Sequence, residues 1–187
     1  SCSSSDSSVA TCSISGNNVS IVPKALTSDN KVSTITVSLS EGSNYLATSA
    51  SYTATVNREV ITCPSSPSNR TYNGSSQGSG ITCPTGSSAG GTTSSTNAGT
   101  YSQTCTNNAG YKFNATCSVS WTIAKASSSI TCTNKSYTGS AQTIATGSGC
   151  SSLSGASQTN AGDYTVTCNG DANHNNSTNT CSISKVA

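Results

Sequence analysis

Charge is the first thing this chain has little of: Asp, Glu, Lys and Arg together make 7% of 187 residues, against a usual share near 25%. The formal balance of +2 leaves no electrostatic footprint for nucleic acid or an anionic membrane surface. Methionine is absent, histidine occurs once and aromatics are 5%. No stretch carries a helical stripe of apolar residues, and no apolar run is long enough for a span, so membrane insertion is not expected in this region. No segment reads as an export signal or a sorting tail. A secreted protein must carry its signal somewhere, so the expectation is a mature product or an excerpt of something longer. Disorder couples low hydrophobicity to high net charge or proline-rich low complexity, and +2 with four prolines is neither.

What the chain does have is ten cysteines. With no C-x-x-C pair and a single histidine, metal sites are a poor explanation, and neither metal nor cofactor is expected. Disulfides are the better one, which points outside the cytosol. Cys2, Cys12, Cys63, Cys83, Cys105, Cys117, Cys132, Cys150, Cys168 and Cys181 are all taken as bridge residues. A domain of roughly 60 residues buries too little surface to be comfortable, and each bridge adds roughly 2–4 kcal/mol by restricting the unfolded chain.

One phrase occurs twice. Asn97-Ala98-Gly99-Thr100-Tyr101 leads to Cys105, and Asn160-Ala161-Gly162-Asp163-Tyr164 leads to Cys168. Around both copies the order is Ile-Thr-Cys, Tyr-x-Gly, a second Cys, the phrase, a third Cys and a fourth. A unit of about 60 residues that recurs with its own cysteine framework marks a string of modules. The runs Tyr52–Arg58, Cys117–Ile123 and Cys181–Ala187 alternate polar with inward residues before or around a Lys or Arg, the pattern of half-buried strands. Boundaries are therefore expected near 58/59 and 126/127, giving modules 1–58, 59–126 and 127–187. The Ser/Thr/Gly clusters at 84–96 and 151–159 read as loops or irregular edge segments. The fold class expected is all-β: tandem, disulfide-stapled, immunoglobulin-like sandwiches.

The cysteines share strand faces with apolar neighbours, as Cys168 does with Tyr164 and Val166, and so point inward as staples. The two-four-four distribution implies one bridge in the first module, two in each of the others and no free thiol. Four cysteines allow three pairings. First with fourth and second with third joins the terminal strands of each repeat, while 132–150 with 168–181 remains a rival. Tyr101 and Tyr164 suit a tyrosine corner, in which a Tyr opening a strand bonds back to the corner's backbone. Here the Tyr stands four residues before the core Cys and keeps the face.

Residues 59–126 and 127–187 resemble the MBG-type repeats of bacterial surface proteins, through Tyr72-Asn73-Gly74 and Tyr137-Thr138-Gly139 early and Asn-Ala-Gly-x-Tyr in the middle. Gly170-Asp171-Ala172-Asn173-His174-Asn175 and Ile183-Ser184-Lys185 extend the likeness. Residues 1–58 resemble the end of a bacterial Ig-like group 2 domain, through Ser7-Ser8-Val9-Ala10-Thr11, Gly16-Asn17-Asn18-Val19 and Thr34-Ile35-Thr36-Val37. The extra cysteines belong to neither pattern, and Cys2 stands where that Ig-like family often has a core Trp. The first module also lacks the leading strands of such a domain, which implies an upstream continuation or a strand donated by a neighbouring copy. The resemblances imply extracellular stalks or spacers, sometimes adhesive, with no catalytic residues.

The residues agree that this is not an enzyme. His174 sits where Tyr111 stands in the previous repeat and Tyr45 in the first module, and so reads as a loop-packing aromatic rather than a general base. No two of the six carboxylates, Asp6, Asp29, Glu41, Glu59, Asp163 and Asp171, are spaced to share a proton or build a calcium cage. Lys125 and Lys185 end their strands in equivalent places and read as strand-end lysines, not cross-linking ones. Sequons at Asn18, Asn69, Asn73, Asn114, Asn134, Asn175 and Asn176 are what chance supplies in so Asn- and Ser-rich a chain. Tyr111-Lys112-Phe113 is the one aromatic cluster that would suit stacking on sugar, but the favoured reading is that Tyr111 packs down and Phe113 covers the hairpin. The leading expectation is a non-enzymatic extracellular array, part of a bacterial cell-surface stalk, adhesin or filament, whose partners are neighbouring modules or copies of itself. A carbohydrate- or host-protein-binding module, using loops 84–96 or 106–116, and an accessory region of a larger secreted enzyme are the alternatives.

Overall fold

The computed structural model describes residues 1–186. Among the described residues every regular element is a strand; there is no helix, and so none long and apolar enough to cross a membrane. The chain forms two compact units, one of Ser1–Ser65, Thr82–Gly90 and Thr104–Ser118, the other of Ser66–Ile81, Gly91–Gln103 and everything from Val119 onward.

In the first unit, Cys2–Ser4, Lys31–Leu39 and Thr48–Val56 form an antiparallel sheet with Lys31–Leu39 in the middle. Ala10–Ser15 and Asn18–Pro23 form a hairpin whose two-residue loop, Gly16-Asn17, needs the positive φ of Gly16. Alternation along Lys31–Leu39 turns Ser33 and Ile35 inward. With Val9, Ala10 and Ala54 they are the buried residues of the first module, a small set. Buried Ser33 is satisfied: its Oγ lies 2.7 Å from Ser4 Oγ and accepts the Asp6 N–H at 3.1 Å. The Cys2–Cys12 bridge ties the sheet to the hairpin.

In the third repeat, Lys135–Ser136, Ser177–Ser184, Gly162–Gly170 and Cys150–Ser154 form a four-stranded sheet in that order. Two shorter ladders, Ser129–Cys132 with Ala145–Ser148 and Gln142–Thr143 with Ser157–Gln158, complete it. Side chains from both parts meet in the core: Ile144, Ala145, Val166, Cys181 and Ile183, flanked by Ile130, Cys132, Leu153 and Tyr164. The second repeat has the same strand order, Arg70–Thr71, Cys117–Ala124, Gly99–Asn107 and Ser87–Gly91, with Gln77–Gly78 paired to Ser94–Ser95.

One expectation is narrowed and one changes. Of the two readings of the clusters at 84–96 and 151–159, loop or irregular edge segment, the structure holds the second: Ser87–Gly91 and Cys150–Ser154 are the outer strands of their sheets, with Ser94–Ser95 and Ser157–Gln158 after them in the chain. An edge strand needs only its backbone ladder on one side, so small hydroxyl residues suffice. Tyr45, expected to pack like Tyr111 and His174, is 73% exposed. Its loop closes as a single bridge, Gly42 to Tyr45, with no surface beneath the ring.

Superposing the repeats by their pairings shows what the shared order of cysteines conceals. Tyr72 N–H donates to Ala124 O and Tyr137 N–H to Ser184 O, so Ile123 matches Ile183 and Trp121 matches Cys181. The bridges are Cys63–Cys117 and Cys83–Cys105 in the second repeat, Cys132–Cys181 and Cys150–Cys168 in the third. Both repeats join first to fourth and second to third, yet the outer bridge has slid along the last strand. Where the third repeat has the Cys181 sulfur bridged to Cys132, the second has an indole. By the same matching, the buried pair Ser79 and Gln103, hydrogen-bonded to each other, stands where the third repeat has Ile144 and Val166.

Candidate functional site

The strands Gly99–Asn107 and Gly162–Gly170 each open on the repeated phrase. Tyr101 Oη donates to Asn97 O at 2.7 Å, and Tyr164 Oη to Asn160 O at 2.7 Å. The hydroxyl thus closes the turn that delivers the chain into the strand. A Cβ on Gly99 would lie 3.1 Å from Tyr101 Oη, a tight approach, whereas one on Gly162 would lie 3.7 Å from Tyr164 Oη, an ordinary contact. The Tyr101 ring also leans on Trp121, with centroids 4.9 Å apart.

At the other end of these strands lie the turns that carry Tyr111 and His174. In both, a peptide N–H returns to a glycine carbonyl: Asn108 N to Gly86 O at 2.8 Å, Asp171 N to Gly149 O at 3.1 Å. Both glycines have positive φ, and the aromatic ring lies over them. A Cβ on Gly86 would come 2.3 Å from the Tyr111 ring, and one on Gly149 would come 2.6 Å from the His174 imidazole. His174 is therefore a packing ring, as its place in the phrase implies. Its Nδ1 is 2.8 Å from Asp171 Oδ1, and this bond, with the Asn173 N–H, holds the Asp171 carboxyl below its ordinary range. Among the described residues no three of His, Cys, Asp and Glu come together to hold a metal ion. Asp163 and Glu41 stand away from any ion pair between described residues.

The same turns make the joints. Gly110 N–H donates to Leu26 O at 2.7 Å, and Glu59 N–H to Gly110 O at 2.7 Å. Tyr111–Lys112 runs parallel to Glu59–Val60, just as His174–Asn175 runs parallel to Ala126–Ser127. At the later joint Ala98 N–H donates to Asn173 Oδ1 at 2.8 Å, Asn173 Nδ2 to Asn97 Oδ1 at 3.3 Å, and Ala126 N–H to Asn173 O at 2.9 Å. Tyr72 meets the His174 ring edge-on at 5.2 Å. Lys125 Nζ donates to Asp171 O at 3.4 Å, the contact of an ordinary strand-end lysine.

The first joint adds charge. Asp29 accepts from Arg58 N at 3.0 Å, Arg58 Nε at 3.2 Å, Arg58 Nη2 at 3.3 Å and Lys112 Nζ at 2.8 Å. These bonds, from Arg58 first and then Lys112, hold its carboxyl far below the ordinary carboxylate range. A carboxyl depressed in the folded state stabilises it above the ordinary range, and that contribution is lost only as pH falls well below it. Asp29→Asn should therefore speed tryptic cleavage after Arg58 at neutral pH. In the unaltered chain, hydrogen-exchange protection of the Arg58 amide should persist down through the ordinary carboxylate range. Loss of that protection already near pH 4, about where free carboxyls titrate, would contradict the anchor.

Three hollows accompany these features. One of about 380 Å³ is lined by Arg58, Asn107, Lys112 and Phe113, and another of about 260 Å³ by Val60, Ile61 and the same Phe113. Both cations beside Phe113 are committed to Asp29, which weakens the case for an anionic ligand there. A third, of about 410 Å³, is lined by Tyr137, Asn160, Ala161, Lys185 and Val186. The seven sequon asparagines are all exposed. The sequence signalled the corner tyrosines and the aromatic turns but not the joints, whose bonds join residues as far apart as Asn97 and Asn173. Comparison with known proteins finds no matching family model, no matching curated protein and no matching solved structure.

Proposed function

We propose that the chain is a non-enzymatic structural array, made of immunoglobulin-like sandwich modules and working outside the cell as part of a bacterial surface stalk, adhesin or filament. The observation that carries this reading is the joint, built twice from the same turn of the later module set on the end of the earlier one. Five bridges with no free cysteine favour an oxidising compartment. The outer bridges close loops spanning 54 and 49 residues, so tension applied along the chain is carried across each repeat by a covalent bond.

The first module supports assembly with another chain. Its strand Asn18–Pro23 is exposed throughout, pairs on one edge only, and shows Val19, Ile21 and Val22 to solvent. Such an edge accepts a donated strand. Sedimentation that stays monomeric at high concentration, with exchange along 18–23 unchanged, would remove that partner.

Single-molecule extension and a glycan and host-protein array, both run on the full chain, test the reading. Extension should stop short until reductant is added, then gain two large steps of roughly 180 Å and 160 Å and a small one of roughly 35 Å from the Cys2–Cys12 loop, at about 3.3–3.6 Å per residue. The binding arrays should return no saturable ligand. A ligand lost on Phe113→Ala would replace the structural reading with a binding one.

A further inference from the structure

The second and third repeats carry one surface in two states. On the second, Tyr72, Asn97, Ala98, Lys125 and Ala126 all touch the turn at 171–174 of the third repeat. Their counterparts on the third are Tyr137, Asn160, Ala161, Lys185 and Val186, and these five line the open hollow of about 410 Å³. The matching rests on geometry: both tyrosines of Tyr-x-Gly pair with the same point on the last strand, and both corner tyrosines bond the same asparagine carbonyl. Tyr72 is half-buried under the His174 edge, whereas Tyr137 is 40% exposed.

From this we infer that the hollow is a socket for the Asx-Ala-Asn-aromatic turn of a further repeat of this type, a proposal that rests on the array reading above. The chemistry of the occupant follows from the filled socket. An Asn at the third position reads the Ala N–H and the Asn side chain of the Asn-Ala pair with its two amide atoms. A ring at the fourth stands against the Tyr, and a backbone carbonyl faces the Lys. A second folded copy of this chain has no free turn to offer, since Gly110 is engaged on Leu26 and Asn173 on Ala98. The occupant is a module whose own turn has no other seat.

The test extends the full chain after Ala187 with a second copy of residues 128–187 and follows amide hydrogen exchange. The Ala161 N–H should slow by about tenfold or more, matching Ala98 in the same molecule, and should return to its original rate when the appended copy alone carries Asn173→Ala. Protection of the appended Val166 amide reports that the copy has folded. As a second arm, a cyclic peptide bearing residues 170–175 is titrated onto the unextended chain, where a saturable shift of the Ala161 amide is expected. Ala98 protected, with Ala161 unchanged in both arms, overturns the socket and leaves the array reading standing. An unprotected Ala98 would instead strike at the joint on which that reading depends.

Discussion

Reductant should unfold the second and third repeats at temperatures where the oxidised chain is intact. In the chain-entropy account, closing loops that span 54 and 49 residues contributes roughly 4 kcal/mol each, and the inner loops spanning 22 and 18 roughly 3. The inner loop of each repeat lies inside the outer one, so the pair contributes less than its sum. A domain of this size holds only about 3–9 kcal/mol in all, at roughly 0.05–0.15 per residue. Removing both bridges takes away most or all of that margin. Thermal melts by circular dichroism, with and without reductant, measure it directly. Coincident midpoints would mean that packing alone holds the repeats, contrary to the small set of buried side chains seen in each.

Trp121→Ala should be the most damaging single change outside the cysteines, at about 3–5 kcal/mol. The side chain is 2% exposed, its Nε1–H donates to Thr92 O at 2.8 Å, and its ring backs the Tyr101 corner. Beside it the second repeat buries only Val119, Ile123, Cys105 and Cys117 among apolar side chains, and Ser79 and Gln103 fill the places that Ile144 and Val166 fill in the third. Truncation would also leave the Thr92 carbonyl without its donor. Because Trp121 is the only tryptophan, its fluorescence in the unaltered chain isolates the second repeat's unfolding, and circular dichroism then follows the variant. A variant whose denaturant transition overlies that of the parent would show that the indole is a surface ornament to a core held by other means.

Period-two alternation made the strands legible, because a half-buried strand writes its inward face into every second residue. The runs read at Tyr52–Arg58, Cys117–Ile123 and Cys181–Ala187 fall on the strands Thr48–Val56, Cys117–Ala124 and Ser177–Ser184. The corner tyrosines were legible for a similar reason: hydroxyl and acceptor are four residues apart, within one phrase. The edge strands were legible only as loop-or-edge clusters, since Ser, Thr and Gly there meet no core that would select larger residues. The sliding of the outer bridge was hidden too. The order of cysteines along the chain says nothing of strand register, and only the pairing of Lys135 with Ile183, set against Arg70 with Ile123, reveals the shift. The joints were the least legible of all. Each consists of a few hydrogen bonds between short polar turns distant in sequence, and Asn, Ala and Gly are too common here to announce a contact.

The joint has a consequence for how such a chain can change in length. The residues that seat a turn, Asn97, Ala98 and Tyr72, and the residues that form one, 171–174, belong to successive copies of one sequence period. A duplication of residues 128–187 as one whole period sets a 171–174 turn after a Tyr137, Asn160 and Ala161 seat and so offers the same set of partners, whereas a breakpoint that carries the Gly110 turn onto such a seat loses the Asn173 side-chain contacts. A breakpoint between the first and fourth cysteines of a repeat would likewise join Cys63 to the register of Cys181. Reach can vary among descendants through those exchanges that keep each turn with its seat and each cysteine with its partner.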